Sequence, residues 1–491
     1  MQTNLPEAES RPAVEEWMEP ERVPVNFKRR EWLLFGALAA LFAMCCWGFD
    51  PERLANGRLP GLGMALMVLA LEGAALLYLG KRAKPGPLAI AMLAFDALLG
   101  AAYLIYANPA LRWMNLMLLF ATLPTALYGL AGNCVRPFDG PGALFEGGLR
   151  AVHGAFVHMD KPFLAAGEAL RGNKRRARGA ILGLLIAAPV LMLAVVLLAS
   201  ADPVFANLFA KIAVAVLGEV PVFTLMRLCL TLLFSLIAFS MFYALRRERA
   251  ELRTGENIKL RAPSAAVRLP LLLFNLVYAL FVYVQFANLF GGAQTAAMTG
   301  GYAEYARSGF FQLAFVAALN LCVFGACRAL CPDDRPVRAL LLLLVALTAV
   351  ILASAAWRMR LYVGAYGLSF LRMLTFLGML AIALALLAAL WKLFFPAHRV
   401  FKLLLIGWMA AWLLFNAADP DRIIARHNAS RYLDGTLDKV DPDYLSTLSS
   451  GALGPLQDLR DGGVPGADEA LSKMLERIDA PLSWADWSVY R

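Results

Sequence analysis

The segment LPLLLFNLVYALFVYVQFANLF occupies residues 269–290, and GYAEYARSGF follows at residues 301–310 after a short glycine-rich stretch. The first segment contains no charged residue, and a second apolar run follows the decapeptide as far as residue 320. A helix needs about 20 apolar residues to cross the hydrocarbon core of a bilayer. The pattern therefore predicts two membrane-spanning helices, with two tyrosines, a glutamate and an arginine at the boundary where the second helix begins.

The composition extends this prediction to most of the chain. Apolar residues make up 60% of the sequence, and the mean hydropathy is +0.62. Soluble domains contain about 45–50% apolar residues, and here the apolar residues fall in blocks of roughly twenty. The sequence therefore predicts an all-α fold, a polytopic transmembrane helical bundle of about 11 spans.

The predicted spans lie at 31–49, 61–80, 88–106, 111–131, 180–199, 222–245, 269–290, 309–330, 339–357, 368–391 and 400–418. Lys and Arg are more numerous in every second connecting segment, beginning with the one before the first span. Because cytoplasmic loops are enriched in Lys and Arg, the N-terminus is predicted to be cytoplasmic. An odd number of spans then places the C-terminal tail outside the cytoplasm, and the predicted location is the cell (inner) membrane.

The same reading divides the chain into five parts. They are a cytoplasmic polar leader (1–30), an N-terminal four-helix membrane region (31–131), a cytoplasmic basic amphipathic loop (132–179), a membrane core of about seven spans (180–418) and an extracytoplasmic helical tail (419–491). The tail contains repeated Asp-Pro pairs, which are helix-start signals. Several short helices stacked on the membrane face are therefore expected there.

A basic cluster ends the cytoplasmic loop, immediately before the predicted fifth span. Its members are Arg171, Lys174, Arg175, Arg176 and Arg178. Basic residues next to a span bind anionic lipid headgroups, so the lipid bilayer is the predicted partner. No aromatic residues alternate with this cluster, which argues against a nucleic-acid surface.

Three segments together carry a resemblance to a known family. They are ADPVF at 201–205, the decapeptide at 301–310, and a tail pattern comprising ARHN at 425–428, Arg431-Tyr432 and Asp443-Tyr444-Leu445. The chain resembles, over roughly residues 180–450, the bacterial multi-pass membrane proteins of the domain-of-unknown-function family 4173 and its relative 4153. The resemblance implies a membrane fold and a bacterial membrane location, and it implies no reaction and no catalytic residue.

Polar residues are predicted to gather at the outer boundary of the bundle. The candidate ligand-binding residues are Asp202, Arg227, Tyr302, Glu304, Tyr305, Arg307, Tyr362, Tyr366 and Arg372. Arginine forks bind carboxylate or phosphate in bidentate fashion, so one hypothesis is an outward-facing pocket for an anionic group such as a lipid headgroup. The alternative is that these residues form interhelical salt bridges and an ordinary tyrosine belt.

Two acidic residues lie deep in predicted spans. Glu72 is past the middle of the second span, and Asp96 is near the middle of the third. Acids inside a membrane often carry protons or ions, so a proton or ion pathway is one hypothesis, with Asn115 on the fourth span within reach. The alternative is a protonated acid hydrogen-bonded to a neighbouring helix. Asn275, Gln285, Asn288 and Asn320 are predicted to bond between helices.

Three functional classes stay open at this stage. The first is a permease-like protein that moves or holds an anionic or lipid-linked ligand, and the second is a non-transporting scaffold or regulatory subunit in envelope assembly or signalling. The third, ranked last, is a membrane-embedded lipid transferase in which Asp202, Glu304 or His427 acts as base. The sequence has no P-loop, H-E-x-x-H or G-x-S-x-G motif, so no catalytic residue, metal or cofactor is predicted.

Overall fold

The computed structural model describes residues 27–49, 58–84, 86–132, 141–169, 222–247, 262–290, 310–331, 334–396, 400–479 and 484–488, with a few isolated positions besides. Several predictions lie outside these residues. They concern the leader (1–26), the basic cluster (171–178), most of the span at 180–199, and the decapeptide as far as residue 309.

The described residues form helices and no β-strand. The first seven helices are α1 (Arg29–Gly48), α2 (Leu62–Leu79), α3 (Pro87–Ile105), α4 (Pro109–Ala131), α5 (Pro141–Val157), α6 (Lys161–Ala169) and α7 (Val222–Arg247). The next five are α8 (Ser264–Phe290), α9 (Phe310–Leu330), α10 (Arg335–Tyr366), α11 (Phe370–Phe394) and α12 (Val400–Ala417). The tail forms α13 (Pro420–Leu433), α14 (Pro442–Thr447), α15 (Leu453–Asp461) and α16 (Ala467–Asp479).

Within the described part of the chain, ten helices are long and apolar enough to cross a membrane: α1 to α4 and α7 to α12. They correspond to ten of the eleven predicted spans, and the eleventh is the one at 180–199. The chain is therefore a multi-pass membrane protein, as the composition predicts. The predicted helical tail is also confirmed, because α13 to α16 follow the last span.

Several helices begin with the same local signal, a polar residue followed by proline. Asn108 precedes Pro109 in this way at the start of α4, and its side-chain oxygen accepts a hydrogen bond from the Leu111 amide at 2.7 Å. Asp419 precedes Pro420 at the start of α13. Such caps satisfy backbone N–H groups that have no partner in the first turn, and proline costs nothing there because its missing N–H has no helical acceptor.

One predicted span was too short. The sequence placed it at 339–357, whereas α10 runs from Arg335 to Tyr366. Two arginines follow the predicted end directly. Arg358 is buried within the bundle, and the guanidinium of Arg360 lies over the ring of Trp357, so the helix continues past both.

The spanning helices pack in two connected groups. Helices α1 to α5 and α7 share apolar cores, and α8 to α11 share another. Helix α12 contacts both α3 and α11 and joins the two groups. As predicted, Asn275 bonds between helices, donating to Leu340 O at 3.0 Å, and Asn320 donates to the Thr348 hydroxyl at 2.9 Å. The side chains of Gln285 and Asn288 lie outside the described set.

The tail helices form a unit that we call the cap, residues 420–488. It has its own apolar core, in which Leu445, Leu456 and Met474 are fully buried. Leu368 and Phe370, from the connection between α10 and α11, pack against this core. The cap therefore sits over one end of the bundle, which we call the cap side.

Candidate functional site

The cap is fastened to the α10–α11 connection by the tail residues that carry the family resemblance. Asn428 bonds both backbone groups of Leu368, and the Tyr444 hydroxyl accepts a hydrogen bond from the Phe370 amide at 3.1 Å. Arg431 donates to Val363 O at 3.4 Å. The connection leaves the backbone groups of Leu368 and the Phe370 amide without helical partners, so the tail pattern supplies them, and Arg431 adds a second donor to Val363 O.

Three of the predicted ligand-binding residues meet beside this joint. The Arg372 guanidinium lies 4.3 Å from the centre of the Tyr362 ring and 5.9 Å from that of Tyr366. It donates to Tyr366 O at 2.8 Å and to Gly367 O at 2.5 Å. The positive charge is thus held against aromatic faces and the carbonyls that end α10.

The other predicted residues of this set lie elsewhere. Asp202 accepts a hydrogen bond from the Val204 amide at 2.8 Å, and Arg227 donates to Phe49 O at 3.2 Å. Among the described residues, no contact joins either of them to Arg372. Tyr302, Glu304, Tyr305 and Arg307 lie outside the residues that the structure describes. An anion site formed by the whole predicted set stays a prediction.

A cavity of about 100 Å³ lies between the cap and the bundle, and three arginines line it. We call it the arginine cavity. Its lining comprises Arg58, Leu59, Ala107, Pro109, Arg112, Thr447, Leu448, Ser449, Arg477, Asp486 and Ser488. The residues come from the start of α2, the α3–α4 connection and three parts of the cap.

Arg112 holds the bundle wall of the cavity. It is 7% exposed, and it donates to Tyr106 O at 2.9 Å, to Leu59 O at 2.6 Å and to Tyr103 O at 2.8 Å. These carbonyls belong to the last turn of α3, to the α3–α4 connection and to the segment before α2. One guanidinium, with five N–H donors in a fixed plane, therefore organises two separate stretches of backbone.

Arg477 and Arg58 bring positive charge from the other sides. Arg477 donates a hydrogen bond to Leu448 O. Burial and the nearby charge of Arg58 lower the pKa of Arg477, and Asp421 offsets part of this effect. Both guanidiniums stay charged, because arginine is not deprotonated in proteins. Two like charges held together are a local cost that a bound anion would relieve.

The carboxylates near the cavity only partly balance these charges. Asp486 lines the cavity and interacts electrostatically with Arg112. Asp421, which is fully buried, accepts hydrogen bonds from the Asn108 side chain and from the Ser449 amide. Asp421 thereby ties α4 to the cap, and in the described part of the chain three arginines face two carboxylates.

The sequence reasoning missed this cavity. Arg58 and Arg477 lie outside the predicted spans and far apart in the sequence, and only the fold brings them together. A signal for Arg112 was present, because it is a charged residue at the second position of the predicted span at 111–131.

The two predicted membrane acids lie on neighbouring helices. Glu72 on α2 and Asp96 on α3 are close enough for their charges to interact, and Asp96 is fully buried. The partner on α4 is Thr122, whose hydroxyl bonds Asp96 Oδ1. Asn115 does not join the pair, contrary to expectation. It donates to the Asn416 side chain at 2.7 Å and accepts from the Trp412 indole at 2.8 Å, because α12 covers that face of α4.

In the described part of the chain, no group of three or more His, Cys, Asp or Glu residues is placed to hold a metal ion. The fold and these sites define a multi-pass helical membrane protein with a helical cap and an arginine-lined cavity beneath it. The family model of Domain of unknown function (DUF4153) matches residues 93–459, and the chain belongs to this family. The match begins within α3, further towards the N-terminus than the resemblance indicated. No curated protein and no solved structure matches the chain.

Proposed function

We propose that this membrane protein binds a small oxyanion in the arginine cavity, either as a free ion or as the headgroup of a lipid. The convergence of Arg58, Arg112 and Arg477 on one cavity carries the proposal. Among the residues that the structure describes, Asp421 and Asp486 compensate two of the three charges, which favours an anion as the ligand. Arginine forks match the geometry of phosphate and carboxylate oxygens, which favours an oxyanion over a halide.

The size of the cavity limits the ligand. Pockets for drug-sized molecules occupy about 300–1,000 Å³, and this cavity has about 100 Å³. A phosphate, sulfate or carboxylate group is of the right order, whereas a complete nucleotide or sugar is too large. A lipid would therefore place only its charged group in the cavity.

The distribution of Lys and Arg along the chain supports a position for this site on the extracytoplasmic face. The group formed by Arg372, Tyr362 and Tyr366 lies on the cap side as well, and we propose that it offers a second contact to an anionic headgroup. Together these features favour a permease-like or lipid-handling protein of the bacterial inner membrane. The alternative is a scaffold or regulatory subunit whose cap binds a partner in envelope assembly or signalling.

Thermal unfolding of the purified protein tests the proposal. Phosphate, sulfate and acetate are compared with chloride at equal ionic strength, and lipid nanodiscs with phosphatidylglycerol are compared with phosphatidylcholine nanodiscs. A ligand at about 100 times its dissociation constant stabilises a protein by roughly 2.7 kcal/mol. We expect a rise in melting temperature with phosphate or with phosphatidylglycerol, and the more effective arm identifies the source of the anion.

Two cavity variants and one matched control make the experiment specific. Arg58→Gln and Arg477→Gln each remove one cavity charge, and both are expected to abolish the shift. Arg460→Gln removes an exposed cap charge that pairs with the adjacent Asp461, and the shift should persist. An equal shift in all variants, or none in the wild type, would reject the anion site and favour the scaffold alternative.

A further inference from the structure

The packing of α2 against α3 brings two acids near each other inside the membrane. A Cβ placed on Gly100 would lie 3.4 Å from Cβ of Val68, so the two helices touch there. They run in opposite directions, because only a short turn connects them. Asp96 lies one helical turn before Gly100 on α3, and Glu72 lies one turn after Val68 on α2. Because the helices are antiparallel, both acids are displaced from the Gly100–Val68 contact in the same direction.

Each of these carboxyls has an oxygen that lacks a partner. Asp96 Oδ2 and Glu72 Oε1 are buried and make no hydrogen bond in the described structure. The first side chain is fully buried, and the second is half-buried. An unpaired carboxylate is costly in such surroundings, and two adjacent carboxylates are costlier still.

No positive charge compensates the pair in the described part of the chain. Helices α1, α4, α7 and α12 also pack against α2 or α3. Among their described residues, none brings a charged or titratable side chain next to either carboxyl, and Asp96 interacts electrostatically with Glu72 alone. Among the described residues, a bound proton is therefore what can reduce this negative charge.

The hydroxyl of Thr122 shows how the pair accommodates that proton. Thr122 has one hydroxyl hydrogen and two acceptors within reach, Asp96 Oδ1 and Leu118 O, the latter at 2.7 Å. When Asp96 Oδ1 is an acceptor, the hydroxyl donates to it. When Oδ1 carries a proton, that proton is donated to Thr122, and the hydroxyl turns to Leu118 O. Both states of the carboxyl are thus satisfied by rotation of one hydroxyl.

We infer that Glu72 and Asp96 form a proton-binding site within the membrane, which holds one proton on either of the two carboxyls. Thr122 stabilises the Asp96 side of the pair, and the half-buried Glu72 provides the route by which the proton enters and leaves. The site lies about 15 Å along α4 from the arginine cavity, since Thr122 is ten residues beyond Arg112. It is separate from that cavity, and its test does not depend on anion binding.

Labelling with dicyclohexylcarbodiimide tests this inference, because this apolar reagent modifies protonated carboxyls in membranes. The full-length protein in nanodiscs is labelled across a range of pH, and the modified residue is located by peptide mass mapping. We expect labelling at Glu72 or Asp96 that falls as the pH rises. Glu31→Gln changes a buried carboxyl that is paired with Arg30, and labelling of the membrane pair should be unaffected by it.

Removing one acid gives the decisive comparison. In Asp96→Asn the neighbouring negative charge is gone, so the midpoint for labelling of Glu72 should fall by about one pH unit or more. Glu72→Gln alters only the half-buried side chain and tests the same coupling from Asp96, should the first variant fold poorly. Labelling that is absent or independent of pH in the wild type, or a midpoint that is unchanged in both variants, would overturn the proton-binding site.

Discussion

The carboxamide of Asn428 pairs with both backbone groups of Leu368. Its Nδ2 donates to Leu368 O at 2.8 Å, and its Oδ1 accepts from Leu368 N at 2.6 Å. Leu368 lies in the link between two spanning helices, and Asn428 lies on the first helix of the cap. A single side chain therefore connects the α10–α11 link to the cap, and the cap forms one wall of the arginine cavity.

We expect Asn428→Ala to loosen this joint. The substitution leaves a partly buried N–H and a partly buried C=O of Leu368 without these partners, at a cost of about 1–3 kcal/mol. The loss should appear as a lower melting temperature and as faster proteolysis of the cap. Arg426→Ala changes an exposed residue on the same helix and should leave both unchanged. Equal effects of the two substitutions would show that the amide pairing contributes nothing specific.

Gly367 is the point at which α10 ends, and it adopts a φ of +73°. A Cβ there would lie 2.5 Å from Asn428 Oδ1, so alanine would meet both an unfavourable backbone conformation and the joint itself. Gly435 has a φ of +67° and open space around it, which makes it a matched control. We expect Gly435→Ala to cost about 1 kcal/mol and Gly367→Ala clearly more, as measured by thermal unfolding. Similar losses of stability in the two variants would mean that Asn428 and its neighbours can move to accommodate the added methyl group at residue 367.

His427 gives the cap a dependence on pH. Burial, and then the neighbouring charge of Arg431, lower the pKa of His427 below its ordinary value of 6.5. The folded state therefore disfavours the protonated form of His427. The free energy of unfolding is at its full value above pH 6.5 with respect to this group, and it decreases as the pH falls below 6.5 and His427 becomes protonated.

The cap should therefore unfold more readily as the pH is lowered from about 7 to 5, and His427→Gln should flatten that dependence. His153→Gln, at the opposite end of the bundle on α5, is the control. Protease protection of the cap across this range is the measurement. If protease protection of the wild-type cap did not change with pH, or if His427→Gln showed the same pH profile as the wild type, His427 would not be the group responsible.

The features that the sequence predicted correctly are those that depend on a local pattern of residues. Apolar runs of about twenty residues located ten spans, and polar residues before proline marked helix starts such as those at Asn108 and Asp419. It also placed Arg372 near Tyr362, because both lie at ends of consecutive spans. The pairing of Glu72 with Asp96 followed from their similar depth in adjacent helices.

What the sequence did not predict depends on contacts between distant segments. The arginine cavity joins residues 58, 112 and 477, which share no periodicity and no motif. The last described residues return to the bundle, where Trp487 O accepts a hydrogen bond from Leu62 N at 2.9 Å. A Cβ on Gly61 would collide with that same carbonyl, so the close approach requires a glycine. Such packing is specified by the whole fold and leaves no local signal.

Arg112 provides the strongest test of how the cavity is built. Arg112→Met keeps much of the side-chain volume and removes the donors to three carbonyls, at Leu59, Tyr103 and Tyr106. Leaving these acceptors and the nearby Asp486 without their cation should cost about 3 kcal/mol or more. Arg460→Met, on the exposed surface of the cap, should cost less than about 1 kcal/mol. Denaturation of both variants in detergent would measure the difference, and comparable stabilities would show that the carbonyl cluster is held by the surrounding helices without Arg112.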